Sequence, residues 1–309
     1  MESDAPTPIK PHLQARGAVF VGVARNCASH LGGVLENLAR FGAQYGRASY
    51  VFVVSDSEDE TASVLAKWLA DGQDGKLVDL GKLAPGLPLR TQRIAFARNA
   101  CLDHVRERGE DNYDHLIVVD LDDVLGAPVS AEMFAKAAFW LDNKPERGGV
   151  FANGRPHYYD LWALRHRAWC PHDCWHQVQF PETGESTHIH DRMVREVYAR
   201  MIAIPPWLPP IPVQSAFGGI GIYKEKFIRD ARYIGLDEGG RETCEHVSFN
   251  TSVRQAGGTL HIFPALTVES PFEHSYEAQR LPPNMHSVMV RLRRIATVRW
   301  WLTCPFRTA

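Results

Sequence analysis

Three short runs limit what this chain can become: AVFVGVA (18–24), SYVFVVSD (49–56) and HLIVVD (115–120). Each is close to a continuous apolar stretch, without the alternation of a half-solvated strand. Runs of this kind are strands buried on both faces, as in parallel sheets covered by helices. The segments between them have helical spacing. Leu31, Val34, Leu35, Leu38 and Phe41 recur at three- and four-residue steps, and Val64, Leu65, Trp68 and Leu69 lie on one side of a second helix that stops at glycine. RTQRIAFARNACLDHVRER is expected to bury Ile94, Ala97, Cys101 and Val105 on a third. The order β-α-β-α(-α)-β predicts an α/β domain with a mostly parallel central sheet, right-handed crossovers and helices on both faces.

Such sheets bind ligands at the carboxyl ends of their strands. Here those ends carry Ala24-Arg25-Asn26, then Asp56-Ser57-Glu58-Asp59, then Asp120 to Asp123. Three polar clusters thus meet on one rim, and two of them are acidic beyond what packing asks for.

Length and charge narrow the class. A chain of 309 residues accommodates one large α/β domain or two small ones, and neither a repeat nor a linker divides it. The net charge of −2 supplies no basic field, which removes nucleic acid as the main partner. No run approaches the ~18 apolar residues of a membrane span. The polar, Pro-rich start MESDAPTPIKPHLQARG has no apolar core of a signal peptide, so a cytoplasmic protein is expected. The expected divisions are a flexible segment 1–17, a domain 18–277 and a basic tail 278–309. Within the domain, 18–126 is read as the nucleotide-binding half and 127–277 as the sugar and acceptor half.

VVDLDDVL fits two enzyme classes taken alone. A strand ending in D-x-D-x-[TV] is the signature of haloacid-dehalogenase-type phosphatases, where the first Asp is the nucleophile and the second the general acid. The same D-x-D serves nucleotide-sugar glycosyltransferases of the GT-A (Rossmann-like) fold, where carboxylates hold Mn2+ or Mg2+ on the donor diphosphate. Position favours the second. Two β-α units precede the motif, whereas the phosphatase motif opens its domain and needs a later acidic pair, for which IGLDEGG is a poor match. The phosphatase and a non-catalytic nucleotide-sugar-binding protein stay as alternatives.

RIAFARNACLD, YDHLIVVDLDDV, YYDLWALR, PVQSAFGGIGIYK, CEHVSFN and HIFPAL follow one another from about Arg90 to Leu266. This ordered series resembles the fungal capsule-associated mannosyltransferases, including the cryptococcal α-1,3-mannosyltransferase. The chain departs from that family where it carries Asp120-Leu121-Asp122-Asp123 in place of Asn-Asp, so the sugar is not carried over. The resemblance implies a hexosyltransferase acting in polysaccharide or capsule synthesis. Its donor would be a nucleotide-sugar, GDP-mannose first and a UDP-sugar second, and its acceptor a saccharide or a lipid-linked glycan. In that reading Asp56 with Glu58 or Asp59 meets base or ribose, and Arg25, Arg93 and Arg98 neutralise the nucleotide. Asp120 binds ribose or metal, Asp122 the metal directly, and Asp123 supports them. Asp160 and Arg165 bind sugar hydroxyls beside Tyr and Trp faces. Gly218 and Gly219 bring backbone close to the donor or acceptor. Glu245 is the base of an inverting enzyme or the acceptor anchor of a retaining one, with His246 as understudy. His274 completes the metal site, in competition with His261 and His286.

Two features stand apart. CPHDCWH (170–176) reads either as zinc ligands or as an ordinary Cys/His-rich loop. After Glu277 the chain has arginines at 280, 291, 293, 294, 299 and 307, no acidic residue, and Trp300, Trp301 and Phe306 among them. That mixture suits an anionic membrane surface, although at 100° per residue the arginines scatter around a helix. Peripheral membrane contact and packing on the domain are both open readings of the tail.

Overall fold

The computed structural model describes residues 9–107, 113–180 and 188–271. The apolar runs become strands β1 (Gly17–Ala24), β2 (Arg47–Val54) and β4 (His115–Asp120), almost wholly buried along their lengths. The periodic segments become helices α2 (Leu31–Gly42), α3 (Thr61–Ala70) and α4 (Arg90–Glu107). Ala97, Cys101 and Val105 of α4 are buried as expected, while Ile94 is only half-buried because it faces an open cleft.

The structure adds elements that the apolar pattern did not announce. A short helix α1 (Ile9–Gln14) precedes β1, and β3 (Gly75–Asp79) forms the sheet edge beside β2. Helix α5 (Ala131–Asp142) and strand β5 (Arg147–Arg155) follow the acidic motif. Two short helices, α6 (Cys174–Gln179) and α7 (Ile189–Glu196), lead to β6 (Ile211–Val213) and β7 (Ile220–Lys224). Helix α8 (Glu245–Gln255) and β8 (Thr259–Glu269) close the described chain.

All eight strands share one sheet in the order β3-β2-β1-β4-β7-β5-β8-β6. Six point the same way; β7 runs antiparallel between β4 and β5, and β6 runs antiparallel on the β8 edge. The sheet is therefore mixed but mostly parallel. Its two faces carry separate cores, one with α4, α8 and the loops around Tyr158 and Phe217, the other with α1, α2 and α5. Helices cover both faces, as a sheet of doubly buried strands requires. Among the described residues no helix is long and apolar enough to cross a membrane. The basic tail, His274 and His286 lie outside the described residues.

Candidate active site

The carboxyl ends of β1, β2 and β4 open onto a cleft of about 670 Å³ whose far wall is the start of α8. Asn26 and Asp56, just beyond β1 and β2, take left-handed backbone angles of φ 50° and 52°. Asn and Asp tolerate that region better than other side-chain-bearing residues. The two sharp exits are tied together: Asn26 Oδ1 accepts the Glu58 N–H at 2.7 Å, and the Asn26 N–H donates to Ser57 Oγ at 3.1 Å.

This tie disposes of part of the acidic cluster after β2. Asp59 accepts N–H groups of Ala28 and Thr61, so it braces the loop. Glu58 leaves 77% of its side chain in solvent beside Lys82 and does not line the cleft, contrary to its expected nucleotide contact. Asp56 does line it. Its Oδ1 accepts from the Ala84 N–H, while Oδ2 is buried with no hydrogen-bond partner and lies 3.7 Å from Arg93 Nε. Arg93 is held by the carbonyls of Leu87 and Pro88. Arg25 is exposed on the same wall, joined by Arg90, which the sequence did not single out.

Arg98 is where expectation and structure part most clearly. The resemblance implies that it neutralises the nucleotide. Instead its Nη2 donates to Asp120 Oδ1 at 3.0 Å and its Nε to Glu245 Oε1 at 2.9 Å. The guanidinium is buried over the rings of Phe217 and Tyr233. It is an ion bridge between the acidic motif and the head of α8, and its two acidic partners hold it firmly protonated against the cost of burial.

Asp120 ends β4, with 24% of its side chain open to the cleft. Desolvation and the neighbouring Asp122 push its carboxyl up to about 8, with Arg98 opposing. Burial also raises Asp122, whose side chain caps the turn at Asp123–Leu125 by accepting the Val124 N–H. Both carboxyls are raised first by burial, Asp120 next by Asp122 and Asp122 by Asp123, with Arg98 opposing at each. Hard oxygen donors of this kind suit Mn2+ or Mg2+, which keep water or phosphate oxygens for their remaining positions. Among the described residues no group of three or more His, Cys, Asp or Glu is arranged to hold a metal, so Asp120 and Asp122 stand as a pair. His261 is excluded as their partner. It sits near the start of β8, its ring 5.0 Å from that of Trp140, at the end of the sheet away from the rim.

The loop before β7 sets the acidic groups. The Gly218 N–H donates to Asp160 Oδ2 at 2.9 Å, and the Gly219 carbonyl accepts the Asp120 N–H at 3.0 Å. Both glycines have positive φ, and a Cβ would strike Ala152 O at 2.7 Å or Val124 Cγ1 at 2.5 Å. They act by holding Asp160 and Asp120 rather than by facing a ligand, and neither lines the cleft. Asp160 does line it, and the Tyr159 hydroxyl is kept protonated by burial first and then by Asp120, Asp160 and Asp122.

Glu245 opens α8 and lies on the cleft wall with His246. His246 is stacked on Phe217 at 3.8 Å, with neither ring nitrogen hydrogen-bonded. Burial and the Arg98 charge hold it neutral. Arg165, expected to bind sugar, is spent on Asp173 at 2.8 Å and on backbone carbonyls.

Asp173 is the residue that sequence reasoning missed in CPHDCWH. Its carboxylate accepts from the N–H groups of Trp175 and His176, from Trp162 Nε1, from Arg165 and from Thr243. Cys170 and Cys174 are buried in the core while His172 is exposed, and the stretch is a helix cap rather than a metal knuckle. The only advance signal for Asp173 is its place as an Asp just ahead of a helix. Asn37 was missed too. Fully buried on α2, it clasps the chain after the acidic motif through Leu125 O, Ala127 O and the Val129 N–H.

Compared with solved structures, the chain is similar to a mannosyltransferase from Pyrobaculum calidifontis in complex with GDP-Man and Mn2+ (18% identity, 96% of this chain and 68% of that one, TM-score 0.50). The chain has the GT-A fold. Lower TM-scores relate it to S. aureus TarS (14% identity, 95% and 75% covered, 0.45) and to mannosyl-3-phosphoglycerate synthase from Rubrobacter xylanophilus (13% identity, 97% and 79% covered, 0.44). No protein-family model matches the chain, and no curated protein matches it in sequence. In this GT-A chain the acid-lined cleft occupies the carboxyl rim of the sheet, where open α/β sheets take their ligands.

Proposed function

We propose that this protein is a metal-dependent glycosyltransferase moving a hexose from a nucleotide-diphospho-sugar to a saccharide or lipid-linked acceptor. The observation that carries the reading is the Asp120–Asp122 pair at the end of β4, which lines, together with Arg25, Arg90 and Arg93, a cleft of about 670 Å³. Mannose from GDP-mannose is the favoured donor, because the similar Pyrobaculum enzyme is a mannosyltransferase in complex with GDP-Man and Mn2+. A UDP-sugar is the second choice. Asp120 and Asp122 would hold the Mn2+ or Mg2+, which when bound neutralises the departing diphosphate.

The chain's own groups divide the remaining work. Arg25, Arg90 and Arg93 line the wall that would take the phosphates, where guanidinium forks match phosphate oxygens. The buried Oδ2 of Asp56, paired with Arg93 at 3.7 Å but without a hydrogen bond, is an acceptor for a base or ribose donor. Asp160, pinned by Gly218, presents its carboxylate to the hydroxyls of the transferred sugar. In the reaction the acceptor oxygen bonds to the anomeric carbon as the bond from that carbon to the diphosphate breaks, and the acceptor proton is lost. Glu245 would receive that proton, or anchor the acceptor hydroxyl; its bond to Arg98, which sets its orientation, supports that role.

A thermal-shift series with GDP-, UDP-, CMP- and dTDP-linked ligands, with and without Mn2+, tests this. Metal-dependent stabilisation by one nucleotide class is expected, since a ligand of the native state raises its stability. No response to any of them, together with phosphatase turnover abolished by Asp120→Asn, would sink the proposal in favour of the phosphatase. Donor hydrolysis separates a working transferase from a binding protein without turnover.

A further inference from the structure

We infer that the small pocket beside the cleft, bounded by Trp162, Trp175, Phe180 and Arg241, is a second saccharide subsite. The acceptor is then an oligosaccharide whose penultimate ring stacks there while its terminal ring reaches Glu245. This inference rests on the transferase reading of the main cleft.

Three observations carry it. First, the pocket adjoins the cleft. Trp162 and Trp175 line both, so one pair of indoles forms a shared wall. The pocket's Glu242 also lies three positions before Glu245, on the stretch that leads into α8. The inner side of that wall belongs to the same cleft that Glu245 lines.

Second, the pocket's chemistry is that of a pyranose. Its volume of about 120 Å³ limits it to a small group rather than an extended chain. Half-buried indoles and the 45%-exposed ring of Phe180 offer flat apolar faces. Around them stand Gln179, His176, whose Nε2 lies 3.3 Å from Arg241 Nη1, and Glu242, whose Oε1 already accepts from Thr91. A sugar ring presents the matching pair, an apolar C–H face and a rim of hydroxyls, whereas an alkyl chain has no use for the polar rim. An anionic group is disfavoured as well. Arg241, 5.0 Å over Phe180, already shares its charge with Asp237 at 3.2 Å, and Glu242 adds a carboxylate.

Third, the wall is built before any ligand arrives. Asp173 holds Trp162 through Nε1 at 3.2 Å and the Trp175 backbone at 3.0 Å, and Arg165 and Thr243 hold Asp173. The Trp162 indole is thus fixed in advance, and a fixed aromatic face binds with less ordering cost than a free one.

The test is isothermal titration of the full chain, in the presence of Mn2+ and GDP, with matched mono-, di- and trisaccharides of mannose, glucose and galactose. Octyl monosaccharides are the lipid-like arm, and nucleotide-dependent thermal shift is read on the same samples. At least one disaccharide is expected to bind tenfold or more tightly than its monosaccharide, with little further gain from the third ring. Trp175→Ala should erase the advantage and Trp175→Phe should retain most of it. Arg241→Ala, at an exposed position that cannot unsettle the core, should reduce it severalfold. The subsite is overturned if no disaccharide gains over its monosaccharide, if Trp175→Ala and Arg241→Ala leave the gain intact, or if octyl glycosides gain as much as disaccharides. Nucleotide-dependent stabilisation without any disaccharide gain sinks the subsite alone. A Trp175-dependent gain with no nucleotide response sinks the transferase reading, and with it the acceptor assignment.

Discussion

Arg98 and Glu245 meet at 2.9 Å although 147 positions separate them, and the same guanidinium reaches Asp120 at 3.0 Å. A buried cation shared by two acids is costly to remove, because both acids are left unpaired. Arg98→Met should lower unfolding stability by roughly 3–5 kcal/mol in urea titration. Arg98→Lys keeps the charge but loses the fork, which should cost about 1.5–3 kcal/mol. Adding Glu245→Gln to Arg98→Met should recover part of the loss, and a double-mutant cycle in which the losses simply add would refute the coupling.

Gly219 and Gly257 separate steric fit from backbone angle. Both have positive φ, but a Cβ on Gly257 meets nothing within 4 Å, while one on Gly219 meets Val124 Cγ1 at 2.5 Å. Gly257→Ala should cost about 1–2 kcal/mol, the ordinary price of the left-handed region. Gly219→Ala should cost more, and it should weaken Mn2+-dependent stabilisation by displacing the turn that Asp122 caps. Equal melting temperatures for the two variants would contradict this placement of Gly219.

Acid should weaken the fold through His261. Burial, then the nearby Arg147 charge, lower this imidazole to about 4, with Glu146 pulling the other way. Between that value and the ordinary 6.5 the unfolded chain binds a proton that the native chain does not. The stability from His261 is therefore complete above pH 6.5 and is lost as pH falls toward 4, on the order of 1–3 kcal/mol over the window. Unfolding free energies at half-unit pH steps should show a shallower slope for His261→Phe than for the unaltered chain. An unchanged slope would remove His261 from the account.

Asp173→Ala deprives five donors of their acceptor at once, and buried donors left unpaired cost about 1–3 kcal/mol each where water cannot replace the partner. A drop in melting temperature is expected, with a red shift of tryptophan emission as Trp162 and Trp175 loosen. Asp173→Asn should fall between the two, since its amide oxygen still accepts but carries no charge for Arg165.

What the sequence made legible follows physical lines. β1, β2 and β4 were visible because strands buried on both faces need long apolar runs, and α2 to α4 because each buries one stripe. β3 was not, since GKLVD is short, half-exposed and on an edge, where packing imposes no pattern. Nor was the reversal of β7, because direction within a sheet leaves no mark on five residues. At the site, the acidic rim and Arg25 could be read from strand ends, whereas Arg90, Arg93 and Arg98 lie on α4. The bridging role of Arg98 and the hub at Asp173 could not, as both depend on partners far along the chain. Glu58 misled because acidity at a strand end does not show which carboxylate turns outward.

The wedge of β7 between β4 and β5 has a consequence for how the molecule is made. β4 finds its second neighbour only when residues 220–224 exist, about a hundred positions after its own synthesis. Until then the nascent chain presents β4 as an open edge with Leu116, Ile117, Val118 and Val119 along it, a template for unwanted pairing. The Asp120–Gly219 and Asp160–Gly218 bonds wait on the same segment, so the acidic pocket forms late, when the strand that seals the sheet locks in. A ribosome-bound chain ending before residue 220 should therefore need a chaperone more than the finished protein does, and should bind no nucleotide-sugar.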